Sequence, residues 1–506
     1  MKKQFSIGML AVAGFTSLTM MGCKKFLDRK PLNSVLTDYA QGGIEPQALG
    51  LYGALRNSAG EPYIGDGFQS IPWIGINGFR SEDQEIVSDP GAAQWHATYD
   101  NFNYTKDDWA SGVYWDKHYL LINNCNTILQ LADSLNLNDP SSQVNIAEAK
   151  WFRALSYWDL VRNYGEVPKI DFRIYTSTQA QVPKATETQI LDLIEADLLY
   201  GTTHLPQNWP AKFAGRLTSG AAKTLLAKVY VWRRKWSQAL ALCQEVINSG
   251  EYQLYPDYAK LWKTENELSK ESIFEIQAAY APGDGGQLWS WFGTAQGVRG
   301  NGADGWDLGW GWNTPTASLV NAYEPGDPRK AATILFSGQY DGGEATGGYG
   351  ETMPPYTNAL YWNKKAYTSN AERAASGSLN GSFFMNCRLL RYADVILIAA
   401  ESANEVGNGP LAETYLEMIR ARARGGNNAV LPKVLFVNQA QMRTAIKQER
   451  RVEFGCEFER FWDLVRWGDA SSVLSGLGYQ PKNHWYPLPS SAIASNPRLV
   501  QNPDYP

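Results

Sequence analysis

The sequence predicts a mostly α fold: a scaffold of helical hairpins that carries long irregular loops and few short strands. Three observations predict it. Apolar residues recur at helical spacing in blocks near 146–165, 218–250 and 392–424. Small residues stand at matching offsets in the second and third blocks. Between the blocks lie stretches too rich in glycine, serine, threonine and asparagine for long helices.

The first element is a leader. Lys2 and Lys3 precede an apolar run, Phe5 to Met21, in the order of an export signal rather than a membrane span. The run ends in Met20-Met21-Gly22-Cys23, which looks like a bacterial lipobox: residues 1–22 are removed, and the Cys23 thiol is acylated. Met20 stands where leucine is commoner. Acyl chains bury about 0.8 kcal/mol per CH2, so several of them anchor a globule stably. Residues 23–45 are expected to be a tether. Beyond the leader no stretch approaches the roughly 18 uninterrupted apolar residues of a membrane helix.

In the first helical block Ala147, Trp151, Leu155, Trp158 and Val161 share one face, and Gly165 and Pro168 stop it. The second breaks near Lys235, the third around 407–410. Ala227, Tyr230, Ala239 and Cys243 fall at the offsets of a tetratricopeptide helix pair, as do Ala400, Ala403, Ala412 and Leu416. Small residues there let antiparallel helices approach closely.

Composition excludes several classes. A net charge of -5 without basic clusters argues against nucleic acid. Cys125, Cys243, Cys387 and Cys456 are far apart and read as small buried hydrophobes. Four scattered histidines offer no metal pair, and no cofactor is implied. Glu449, Glu453 and Glu457 lie four apart on one helical face near Arg450, Arg460, Asp463 and Arg466. They read as ion pairs fixing helix packing, and Arg153, Asp159 and Arg162 as ties between helices and loops.

Several blocks carry a family resemblance. They are Cys23-Lys24-Lys25-Phe26-Leu27-Asp28, Ala149 to Ala154, Asp159 to Pro168, Leu390 to Val395, Ala400 to Glu405, Glu449 to Phe454, Phe461 to Gly468 and Gln501 to Tyr505. In this order they resemble the SusD/RagB outer-membrane lipoproteins of Bacteroidetes. The resemblance implies one domain over 46–506, built on tetratricopeptide hairpins. It implies a non-catalytic surface lipoprotein that captures oligo- or polysaccharide and passes it to a SusC-like TonB-dependent transporter. Some relatives handle peptides instead. Lys24 and Lys25 depart from the acidic residues that often follow the cysteine of lipoproteins sent to the outer face. A glycoside hydrolase would need two carboxylates about 5 to 10 Å apart across a cleft, and no motif nominates a pair.

A sugar offers a flat C–H face and a rim of hydroxyls, so its site pairs aromatic planes with planar polar groups. Among 19 Trp, 27 Tyr and 18 Phe, two regions fit, near 62–115 and 283–312. The second holds ten glycines and Trp289, Trp291, Trp306, Trp310 and Trp312. The resemblance places the ligand platform in these regions. The expected ligand residues are Trp73, Arg80, Asp83, Trp95, Trp289, Trp291, Arg299, Asn301 and Trp306, with Cys23 lipidated.

Overall fold

The computed structural model describes residues 43–56, 71–86, 95–281, 288–300, 305–357, 359–377 and 381–506, without the side chains of residues 71, 72, 95 and 96. The expected leader, Cys23 and nearly all of the tether lie outside the described residues.

Two long helices, Trp109–Ser134 and Pro140–Tyr164, open the scaffold. Asp139 sets the start of the second: its carboxylate accepts the Ser141 and Ser142 N–H groups at 3.1 Å each, and Pro140 needs no partner in the first turn. Helix Glu187–His204 begins at a reciprocal Thr186–Gln189 capping box. Ser219–Trp232 and Trp236–Asn248 form one hairpin, Tyr392–Glu405 and Gly409–Arg424 another, and Gln439–Glu453 follows. Each helix packs on its neighbour along the array, and Trp236–Asn248 meets Tyr392–Glu405 directly. The chain between these two therefore leaves the array, builds an irregular half and returns. Ala227, Ala239, Ala400, Ala403 and Ala412 are all buried where helices meet, as their spacing requires. The described strands form only two-stranded antiparallel ribbons. One of them, Ser272–Ile276 with Cys387–Arg391, ties the irregular half back to the scaffold.

Where it is described, the stretch near 62–115 is more regular than a loop. It holds helices Ile71–Gly78 and Trp95–Asp100, the short strand Gln84–Glu85 and the first turns of Trp109–Ser134, joined by irregular segments. Burial of Trp73, Ile74 and Ile76 outweighs the poor helix propensity of Gly75 and Gly78. The four described cysteines are buried free thiols. Among the described residues no group of His, Cys, Asp or Glu could hold a metal ion, and no helix is long and apolar enough to cross a membrane.

A buried charge network joins the two halves. Glu453 is fully buried and accepts from Arg422 (2.5 Å), Arg391 (3.2 Å) and Arg329 (3.2 Å). Arg329 also meets Asp327 (2.8 Å) and Glu449 (2.5 Å). Arg391 and Arg422 share Glu271, at 2.5 and 2.8 Å. Glu457 meets Arg391 (2.7 Å) and Lys365 (2.6 Å). Glu457 lies beyond the end of helix Gln439–Glu453, so the three glutamates do not share one helical face. They form an ion-pair surface whose cations, Arg329, Arg391, Arg420, Arg422 and Lys365, all come from outside that helix, while Arg450 pairs with Asp394 and Asp463. Arg153 likewise pairs with Asp197 at 2.7 Å and reaches Asn126, joining three helices rather than a helix and a loop.

Acid should dismantle this network. Burial alone would raise the Glu453 carboxyl, but Arg422, Arg391 and Arg329 outweigh it and hold it at about 2. The folded value lies below the unfolded one, so the stabilisation is present above about pH 4.5 and fades as pH falls toward 2. His118 acts earlier. Burial and then Arg162 lower its pKa well below the usual range, so protonation of the unfolded chain erodes stability below about pH 6.5. Through these two groups, urea midpoints should decline below about pH 6.5 and fall more steeply under about 4.5. Constant midpoints down to pH 3 would contradict this reading.

Candidate functional site

The irregular half places a set of partly exposed aromatic rings on close-packed backbone. Helix Phe292–Gln296 is wrapped by the following chain: Trp310 N–H donates to Thr294 O at 3.0 Å and Trp312 N–H to Ala295 O at 2.9 Å. The glycines permit this contact. A Cβ on Gly309 would sit 2.1 Å from Thr294 O, and one on Gly297 2.4 Å from Leu308 O. A third segment closes the site, with Ser290 N–H donating to Phe383 O at 2.9 Å and Ser382 N–H to Thr294 Oγ1 at 2.9 Å.

Two aromatic facets result. Trp289 lies nearly parallel to Tyr280 (5.0 Å, 26°) and to Phe383 (4.9 Å, 21°). Trp291 stacks on Trp310 (4.9 Å, 27°) and meets Phe383 edge-on at 88°. The facets therefore form a corner. Buried Trp312 anchors it, touching Trp310 on one side and Phe79 on the other. Tyr280, Trp289, Trp291 and Trp310 are each half-buried, held by neighbours yet open to solvent on part of their surface. Half-buried Arg299 and exposed Asp307 belong to the same glycine-rich stretch.

Of the expected ligand residues, only Trp289 and Trp291 are brought together here. Trp306 is buried instead, lying parallel to Tyr367 at 5.8 Å and 10° in a separate apolar cluster. Trp73 is buried against Phe458 at 4.7 Å, on a cavity of about 60 Å³ shared with Trp158, Asp159 and Arg162. Arg80 is a core residue rather than a ligand contact. Its guanidinium lies over Phe461 (3.9 Å), Tyr486 (4.1 Å) and Trp462 (4.7 Å) and donates to Asn163 Oδ1 at 2.7 Å. Such ring faces stabilise a buried cation. Asp83 is also buried, gripped by Arg451 Nε at 2.9 Å and Nη2 at 2.5 Å. Asn301 and the Trp95 side chain lie outside the described residues. Tyr280 and Phe383 were absent from the sequence expectation. Nothing in the sequence signals Phe383, which reaches the corner from a distant segment.

Comparisons with known proteins agree with this architecture. A model of the SusD family matches residues 270–484, and a second, described as starch-binding associating with outer membrane, matches residues 78–231. SusD-like protein P2 of Formosa agariphila is 27% identical over 441 residues, covering 84% of this chain and 86% of the relative. A laminarin-binding SusD-like protein is 26% identical with a TM-score of 0.73, over 91% of this chain and 98% of that one. Surface glycan-binding protein A from Bacteroides thetaiotaomicron, in complex with laminarihexaose, has a TM-score of 0.73 at 23% identity, over 91% and 98% of the two chains. This last likeness bears on the fold alone.

Proposed function

The chain belongs to the SusD family, and on that premise we propose that it captures a glycan at the Trp291–Trp310 corner without cleaving it. One observation carries this reading: half-open indole faces are fixed in two planes on a rigid, glycine-packed support. Rigid rings offer contact area at low entropic expense, which suits the C–H faces of sugars. The clustered carboxylates Glu449, Glu453 and Glu457 are engaged by arginines and a lysine rather than free for acid–base work. Capture is therefore a better fit than hydrolysis.

The chain would be a lipoprotein, acylated at Cys23 and held at the outer membrane, consistent with the association named for the second matched family model. It would sit at the cell surface and pass its glycan to a SusC-like TonB-dependent transporter. The likeness to a laminarin-binding relative makes laminarin the first ligand to test. Facets meeting at a right angle also favour a curved chain, since a flat ribbon reaches only one of them.

Titration calorimetry tests both statements. Laminarihexaose should release heat, cellohexaose should bind more weakly, a peptide digest should give none, and incubation with laminarin should leave no new reducing ends. Heat with peptides alone would move the chain to the peptide-handling branch, and new reducing ends would make it a hydrolase.

A further inference from the structure

The cavity of about 60 Å³ that Trp73 adjoins is lined by both halves of the molecule. Trp158 and Arg162 come to it from helix Pro140–Tyr164 of the array. Trp262 comes from the irregular half, as do Phe292 and Gln296 of the short helix that supports the aromatic corner. None of Tyr280, Trp289, Trp291 and Trp310 lines it. The cavity thus shares a supporting helix with the corner but none of its open rings.

The lining carries donors without acceptors. Trp158, Trp262 and Arg162 are all buried. Among the described residues, Trp158 Nε1, Trp262 Nε1 and Arg162 Nε have no hydrogen-bond partner. The Arg162 guanidinium lies 4.7 Å from the Trp158 ring centre, so two of these donors belong to neighbouring side chains. Buried polar groups in folded proteins nearly all find a partner, in protein or in ordered water. Charge narrows the choice. Each cation on the lining is already paired: Arg162 with Asp159 (2.5 Å), Lys228 with Glu459 (3.0 Å), Lys365 with Glu457 (2.6 Å) and Arg388 with Glu275 (3.5 Å). A neutral acceptor is therefore favoured over an anion. Size narrows it further. One water takes about 10–15 Å³ of such space and needs two to four polar partners.

We infer that the cavity binds a cluster of about four ordered waters, which accept from Trp158 Nε1, Trp262 Nε1 and Arg162 Nε. The Asp159 and Glu459 carboxylates on the same lining take the hydrogens that these waters donate. Two of the three donors belong to the array and one to the irregular half, so the cluster bridges the halves by hydrogen bonds. The inference is independent of the glycan-capture reading.

High-resolution crystals of the protein, with parallel crystals pressurised with xenon and soaked in sodium bromide, test it. Solvent peaks should stand at hydrogen-bond distance, about 2.7–3.2 Å, from the three nitrogens. Neither xenon nor bromide should enter the cavity. In Trp158→Phe crystals the peak at the indole nitrogen should vanish, while those at Trp262 and Arg162 stay. Xenon in the cavity would overturn the inference, because dry apolar cavities are the ones that take it up. Bromide beside Arg162 would overturn it by making this an anion site. Missing solvent peaks, or a peak set unchanged in the Trp158→Phe variant, would overturn it as well.

Discussion

Replacing Glu453 by alanine is expected to destabilise the protein by about 3–5 kcal/mol, the usual result of leaving buried charge unpaired. Three guanidinium groups converge on this carboxylate, and none of Arg329, Arg391 and Arg422 is appreciably exposed. Water cannot replace the lost anion without opening the interface between the helical array and the irregular half. Glu453→Gln should be nearly as damaging, because the amide keeps the shape and loses the charge. The contrasting case is Lys260–Glu344, an ion pair of 2.7 Å whose glutamate is 81% exposed. Glu344→Ala should leave the unfolding midpoint unchanged, since surface pairs contribute little. Urea unfolding of the three variants checks the contrast. Equal midpoints for Glu453→Ala and wild type would show that the network does not hold the halves together.

The second large effect concerns binding. Trp291→Ala, Trp310→Ala should weaken laminarihexaose binding by at least about 100-fold. Removing one central aromatic from an interface typically costs about 2 kcal/mol or more, roughly 30-fold. The two rings stack on each other, so the double change should fall short of the product of the singles. Folding should survive, because Trp312 and Phe79, rather than the outer pair, anchor this stretch to the core. Trp306→Ala is the control. Its ring is buried on Tyr367, so it should lower the melting temperature while leaving the affinity of the folded protein close to that of wild type. Calorimetry alongside thermal unfolding separates the two outcomes.

Much of the scaffold was legible because its helices repeat one pattern. Trp151, Leu155 and Trp158 mark helical spacing, although the structure buries residues 151–164 on every side rather than on one face, and the alanines at 227, 239, 400, 403 and 412 mark where helices touch. The start of the first of these helices was harder to read. It begins at Pro140, announced by Asp139 before a proline, whereas the apolar period begins several residues later. The helix Ile71–Gly78 was hidden by its glycines, and only tertiary burial makes it helical.

The site was legible as a region and obscure in its members. Glycines interleaved with tryptophans marked 283–312 as a loop carrying aromatics. The glycines there chiefly serve backbone-to-backbone approach, as at Gly297 and Gly309. Which indoles stay open depends on partners distant in sequence. Trp306 is covered because Tyr367 lies over it, and Trp289 is oriented by Phe383. Arg80 and Asp83 looked like ligand groups because they are polar residues set among aromatics in a region that the family resemblance marks for the platform. Their partners, Asn163 and Arg451, come from other parts of the chain.

A crystal of the protein soaked with laminarihexaose tests the central claim most directly. Sugar rings should lie flat against Trp291 or Trp310 and turn across the corner toward Trp289, with the glycan intact. Density for the sugar away from these indoles, or a cleaved chain in the site, would contradict capture at this corner.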